Sequence, residues 1–293
     1  MTVVANTGPL AARRKLGTEL RVLRDRHGWT AEEVGAHLGC HISKVSRLEL
    51  GKRACTKRDF ESLMNLYDVD SDRRAELREL MLRSIQRTPP WWHAYNDVIS
   101  ANYAEFLTYE AEASHCREHQ PLLIPGLVQT EAYARAVTTY GIDAVGPQQV
   151  DTLVEVRMRR QERLRESPPL QMDLVITEAS LRVKVGGPAT MKGQLCHLLS
   201  LQGVENVSLR VIPFEAGEKG TSTGAFTLFA TGVGTSVDAA FIESAETRTT
   251  FRDDPIAVRR LDRLFDHLAS AALSREASAT LIEHIAKEME HSA

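Results

Sequence analysis

Apolar residues return every three to four positions through the first third of the chain, and capping residues and glycines cut that period into short helices. Leu16, Leu20 and Leu23 mark an amphipathic helix from Arg13 to His27, which Gly28 ends. Thr30 with Glu33 three residues later reads as a capping box, followed by Val34 and Leu38 on one stripe. Gly39 closes that helix. A second short one then runs over residues 42–50, with Val45 and Leu48 inward, Ser43, Lys44, Ser46 and Arg47 outward, and Gly51 as its stop. Thr56 and Asp59 open a fourth helix carrying Phe60, Leu63, Met64, Leu66 and Tyr67. Ser71 is expected to cap a fifth over residues 72–87, with Leu77, Leu80, Met81 and Ile85 inward. Residues 1–12 show no sustained period and read as a flexible tail.

Thr88, Pro89 and Pro90 break the helical pattern and mark a domain boundary, with Trp91 and Trp92 expected to pack one domain on the next. Beyond it helical and alternating segments mix. Helices are expected over 103–119, 130–140, 147–166 and 191–202, then two at the end, one with the stripe Leu261, Leu264, Phe265 and Leu268 and one over 275–290. That stripe reads as intramolecular core or as an interface. Strand-like alternation appears at 170–177, 207–214, 225–230 and 239–244, with 247–251 as a further candidate. The expected fold class is α+β: a tail at 1–12, an all-α five-helix domain at 13–87, and a mixed α+β domain with a mainly antiparallel sheet at 88–293.

Charge sharpens this division. The net charge of −3 conceals 17 Lys and Arg against 12 Asp and Glu over residues 1–87, and 19 against 27 beyond. A basic first domain on an acidic second one points to a polyanion as partner of the first alone. The four scattered cysteines show no paired metal spacing, no apolar run approaches a membrane span, and the N-terminus carries no signal-like segment. A cytoplasmic protein is the expectation.

Two short helices joined by a glycine turn, the second basic on its outer face, form the pattern of a helix-turn-helix DNA reader. The spacing of Thr30, Glu33, Val34, Gly39, Ser43, Val45, Ser46, Arg47, Glu49 and Gly51 resembles the Xre family, relatives of phage repressors. A recognition helix at 42–50 places Ile42, Ser43, Lys44 and Arg47 at base edges in the major groove. Arg13, Arg14, Thr30, Ser46, Lys52 and Arg53 are the expected phosphate contacts. The resemblance also implies that Glu49 pairs with Arg24 as a structural element. The chain departs from the phage pattern at Ala31 and Ile42, where glutamines often stand, and at His41, where Ser or Thr often caps. So small a reader implies a homodimer on double-stranded DNA with a pseudo-palindromic operator.

The runs WWHAY, EAEAS, PLLIPGLVQTEAYARA, RRQERL, VGGP and VIPFEAG resemble the C-terminal domain of WhiJ-like, antitoxin-like regulators. This resemblance implies a sequence-specific transcriptional regulator without catalytic activity or cofactor. Its second domain would serve dimerisation and the sensing of a signal, or of a small acidic partner protein encoded nearby. One alternative is an antitoxin-like protein acting chiefly through that partner. Another is a zinc-dependent hydrolase built on His115, Glu118 and His119 (H-x-x-E-H), which requires those side chains on one helix face.

Overall fold

A computed structural model describes residues 8–86, 89–140, 146–222, 224–231, 236–244 and 248–290. Residues up to Pro90 form one compact unit, and most of the chain from Trp91 forms a second.

The described residues of the first unit form five α-helices: α1 Pro9–Arg26, α2 Ala31–His37, α3 Ile42–Glu49, α4 Lys57–Leu66 and α5 Ser71–Ser84. Each boundary has a local chemical cause. Helix α1 starts earlier than the leucine period indicates, because Pro9 supplies a preset φ at its first turn and Leu10, Ala11 and Ala12 are buried. The tail reading therefore fails for residues 9–12, and residues 1–7 lie outside the described residues. Thr30 and Glu33 form the full reciprocal box at the head of α2. Helix α5 is capped by Asp70, not Ser71, with its carboxylate accepting from the amides of Asp72 and Arg73, and it ends at Ser84. Leu16, Leu20, Val34, Val45, Leu48, Phe60, Leu63, Met64, Leu77 and Met81 share one core.

The second unit is built on a six-stranded sheet in the order β3-β2-β1-β4-β5-β6. Its strands are β1 His115–Gln120, β2 Gln171–Thr177, β3 Val207–Ile212, β4 Phe226–Ala230, β5 Ala239–Ser244 and β6 Arg248–Arg252. Pairs β1–β2 and β2–β3 are parallel, while β1–β4, β4–β5 and β5–β6 are antiparallel. Residue 247 of the last expected strand lies outside the described residues. The helices are α6 Ala101–Glu112, α7 Glu131–Thr139, α8 Pro147–Arg160, α9 Glu178–Arg182, α10 Pro188–Ser200, α11 Pro255–Ala271 and α12 Arg275–Glu290.

The largest correction falls at the sheet's centre. The expected helix over 103–119 stops at Glu112, Ala113 turns extended (ψ 140°), and HCREHQ becomes β1. Its polar side chains disguise a strand because their partners lie far off in sequence. Arg117 is taken by Asp262 and Asp266 of α11, Gln120 reaches Glu243, and His115 Nε2 lies 3.0 Å from Asp173. The Leu261 stripe is core: Phe265 and Leu268 are buried against Phe226 and Leu228, with Leu261 and Leu264 packed beside them. Trp92 packs within the second unit, against Ile99, Leu107 and Val156.

Candidate nucleic-acid interface

Helix α3 is seated on α1 through a glycine. A Cβ on Gly17 would lie 2.6 Å from the carbonyl oxygen of Leu48 and nearer still to that of Glu49, so only a glycine lets the two backbones approach this closely. Arg24 of α1 then grips Glu49, Nε to Oε1 at 2.6 Å and Nη2 to Oε2 at 3.0 Å, and its Nη1 donates to the Trp29 carbonyl at 3.0 Å. Gly51 ends α3 in the left-handed region (φ 70°) directly against Arg14, where a Cβ would meet the Arg14 Cα at 2.8 Å. The start of α1 and the exit of α3 thereby share one edge.

The head of α3 is capped by His41, whose Nδ1 accepts from the Ser43 amide at 3.2 Å, so the imidazole does the work of the Ser or Thr frequent there. Val45 and Leu48 are buried, and Ile42, Ser46 and Arg47 are exposed on the opposite side with Ser43 half-buried between them. Arg47 folds over Ser43, donating from Nε to its carbonyl at 3.0 Å.

Two expected contacts are repositioned. Lys44 points away from the exposed face: its Nζ lies 2.8 Å from Asp59 Oδ1, and its side chain is 20 % exposed. Burial pushes the Asp59 carboxyl up, but hydrogen bonds from Lys44 and Thr56 and the charges of Lys44 and Arg53 outweigh it and hold that carboxyl below its ordinary range. Lys44 is therefore a clamp between α3 and α4 and does not face base edges. Thr30 is also committed: its amide and its hydroxyl each donate to Glu33 Oε2 at 2.8 Å, which leaves a carboxylate where a phosphate contact was expected. Lys52 and Arg53 are exposed in the loop after α3, and Arg13 and Arg14 are half-buried on α1.

The sequence reading missed the reach of Asp59 to Lys44 and the close approach at Gly17. The Thr56-x-x-Asp59 box was the available signal for the first, and a glycine inside a leucine-periodic helix for the second.

Two family models match the chain. One, described as a helix-turn-helix domain, covers residues 15–77, and the first unit is accordingly the DNA-binding part of a regulator. The other, described as a domain of unknown function (DUF5753), covers residues 103–284, well over half the chain. The chain belongs to the DUF5753 family. No curated protein and no solved structure matches it.

The DUF5753 domain contains the H-x-x-E-H segment, and β1 takes that pattern apart. Alternation along a strand puts His115 and His119 on one face and Glu118 on the other. His119 is fully buried, with Nδ1 2.9 Å from the Val175 carbonyl and Nε2 2.7 Å from the Ser222 hydroxyl. A carbonyl can only accept, so Nδ1 carries the proton and Nε2 accepts from Ser222. Both ring nitrogens are engaged, and burial holds the imidazole below its ordinary pKa. Among the described residues no three His, Cys, Asp or Glu side chains form a metal-sized group. No described helix is long and apolar enough to cross a membrane.

The other face of β1 meets a cluster of buried charges. Arg160 of α8 donates from Nε and Nη2 to the two oxygens of Glu110 of α6 at 2.7 and 2.6 Å, with both side chains under a tenth exposed. Beside them Glu118 is pushed up to about 7 by burial and the nearby charge of Glu243, with one hydrogen bond from Gln120 at 3.1 Å opposing the shift.

Proposed function

We propose that this chain is a cytoplasmic, sequence-specific transcriptional regulator of the Xre type whose second unit is WhiJ-like and performs no catalysis. The observation that carries this reading is the outer face of α3. Ile42, Ser46 and Arg47 stand exposed with Ser43 between them, on a helix fixed by Gly17, the Arg24–Glu49 pair and the Lys44–Asp59 clamp. A reader held rigidly by side chains that take no part in reading is what base discrimination requires.

In this reading Arg47 leaves Ser43 and grips a guanine edge through two hydrogen bonds, Ser43 bonds a neighbouring base, and Ile42 meets a thymine methyl. Ser46, Lys52, Arg53, Arg13 and Arg14 take phosphates along the edge that Gly51 creates. A homodimer sets two such helices on a pseudo-palindromic operator, with half-site centres about 34 Å apart. The second unit supplies the dimer contact and senses a signal or an acidic protein partner, which leaves room for an antitoxin-like mode of control.

Quantitative footprinting of the full chain on DNA upstream of its own gene, beside a scrambled duplex, tests the reading. The expected result is two protected half-sites one turn apart and a steep loss of affinity with salt. Equal affinity for both duplexes would refute it.

A further inference from the structure

Helix α11 turns its apolar side to the sheet, burying Val258, Phe265, Leu268 and Ala269. Its outer side is set by Arg117, which rises from β1 beneath it. The guanidinium lies 4.4 Å from the centre of the Phe265 ring and donates from one Nη to Asp262 and from the other to Asp266. Those two carboxylates stand three residues after Arg259 and Arg263 and are the partners that helical spacing would give them. Arg117 takes both. Arg259, Arg260 and Arg263 are consequently exposed, and among the described residues none of the three has an ion pair or hydrogen bond.

Several other arginines of this unit are engaged: Arg135 and Arg182 with carboxylates, Arg163, Arg210 and Arg275 with carbonyls. Three unpaired arginines on one face are set apart in a region where acids outnumber bases 27 to 19. The face is not purely charged. Ile256, 69 % exposed, stands one turn before Arg259 and Arg260, and exposed His267 one turn after Arg263. At 1.5 Å per residue this stripe is about 16 Å long, the span of three helical turns.

We infer that the outer face of α11, Ile256, Arg259, Arg260, Arg263 and His267, docks an acidic protein segment that carries carboxylates around an apolar residue. The inference rests on the reading that the second unit takes a protein partner, and it names the surface. Arginine beside an exposed aliphatic side chain is the composition of a protein interface, where a planar guanidinium pairs a carboxylate at two points and the apolar group is covered. A phosphate backbone would neutralise the arginines but leave Ile256 without apolar cover.

The test titrates the full chain into a fluorescein-labelled peptide of about 18 residues with Leu and Glu at helical spacing, read by anisotropy. It is repeated with Arg259→Glu/Arg260→Glu/Arg263→Glu and with Arg165→Glu/Lys184→Glu/Lys219→Glu, which makes the same charge change at other exposed cations of this unit. Saturable binding that weakens at least about tenfold in the α11 variant and less than about twofold in the control is the expected result. Far-ultraviolet circular dichroism and melting confirm that both variants are folded.

Absent binding to wild type, equal loss in the two variants, or a duplex that displaces the peptide through the same arginines would each overturn the inference. So would a loss of self-association confined to the α11 variant, which would make the occupant a second copy. If the peptide binds as expected but no acidic protein encoded beside this gene binds wild type, the surface stands and the choice of partner falls. If such a protein binds wild type and the α11 variant equally, the partner reading stands and the surface falls.

Discussion

The reader unit and the sheet unit each hold an arginine by both edges of a glutamate, at different depths and for different ends. Arg24–Glu49 joins α1 to α3 within a span of 25 residues, with 13 % of the arginine side chain open to solvent and a third bond to the Trp29 carbonyl. Arg160–Glu110 joins α8 to α6 across 50 residues, beside the further carboxylate Glu118 and against the rings of Tyr103 and Phe106. The first pair orients a surface and costs less in desolvation. The second takes charge into a place where an unpaired ion is very unfavourable, so geometry there is enforced by the penalty for losing it. A unit that must present α3 uses shallow clamps. A unit whose interior is charged is poised for its stability to answer to protonation.

The largest effect expected from this contrast is at the deep pair. Glu110→Ala leaves the Arg160 guanidinium buried without its partner and should destabilise the sheet unit by about 3–5 kcal/mol, whereas Glu49→Ala in the reader should cost about 1–2 kcal/mol. Denaturant unfolding of the full chain, followed by tryptophan fluorescence in backgrounds that keep either Trp29 or Trp91 and Trp92, reports the two costs. Equal costs for the two variants would erase the distinction between the pairs.

Next comes the pH response. A carboxyl whose folded value is raised binds its proton more tightly in the folded state. Stability therefore falls as pH rises from the ordinary glutamate range near 4.5 toward about 7, and stays lower above it. Glu118→Gln should flatten that slope and exceed wild type by up to about 3 kcal/mol at pH 8, with the difference vanishing near pH 4. Parallel stability curves for the two proteins would show that Glu118 is not the group responsible.

The smallest is Gly17→Ala. Alanine favours helix by up to about 1 kcal/mol, but its Cβ would meet the Leu48 carbonyl at 2.6 Å, so a net loss of about 1–2 kcal/mol and weaker DNA binding are expected. A variant more stable than wild type would mean that α3 shifts freely on α1.

The same contrast explains what could be read from the chain itself. In the reader unit the information is local. Thr30 with Glu33 and Thr56 with Asp59 signal two helix starts, Gly39 and Gly51 signal stops, and Arg24 with Glu49 follows from the motif. What escaped detection there depended on tertiary reach: Lys44 meeting Asp59, and α3 pressing on Gly17. In the sheet unit β2 to β5 announced themselves by β-branched and apolar alternation. β1 did not, because Arg117, His119 and Gln120 find partners on α11, β2, the loop before β4 and β5. A polar central strand is legible only once its distant partners are known.

The central claim is that the exposed face of α3 reads bases while Lys44 holds the helix in place. Affinity for the preferred upstream duplex should be measured for wild type, Arg47→Ala and Lys44→Ala, each also against a scrambled duplex. The account predicts that Arg47→Ala loses about 1–3 kcal/mol on the preferred site and little on the scrambled one. Lys44→Ala should lower thermal stability and weaken both duplexes alike. Discrimination lost in Lys44→Ala and kept in Arg47→Ala would contradict it.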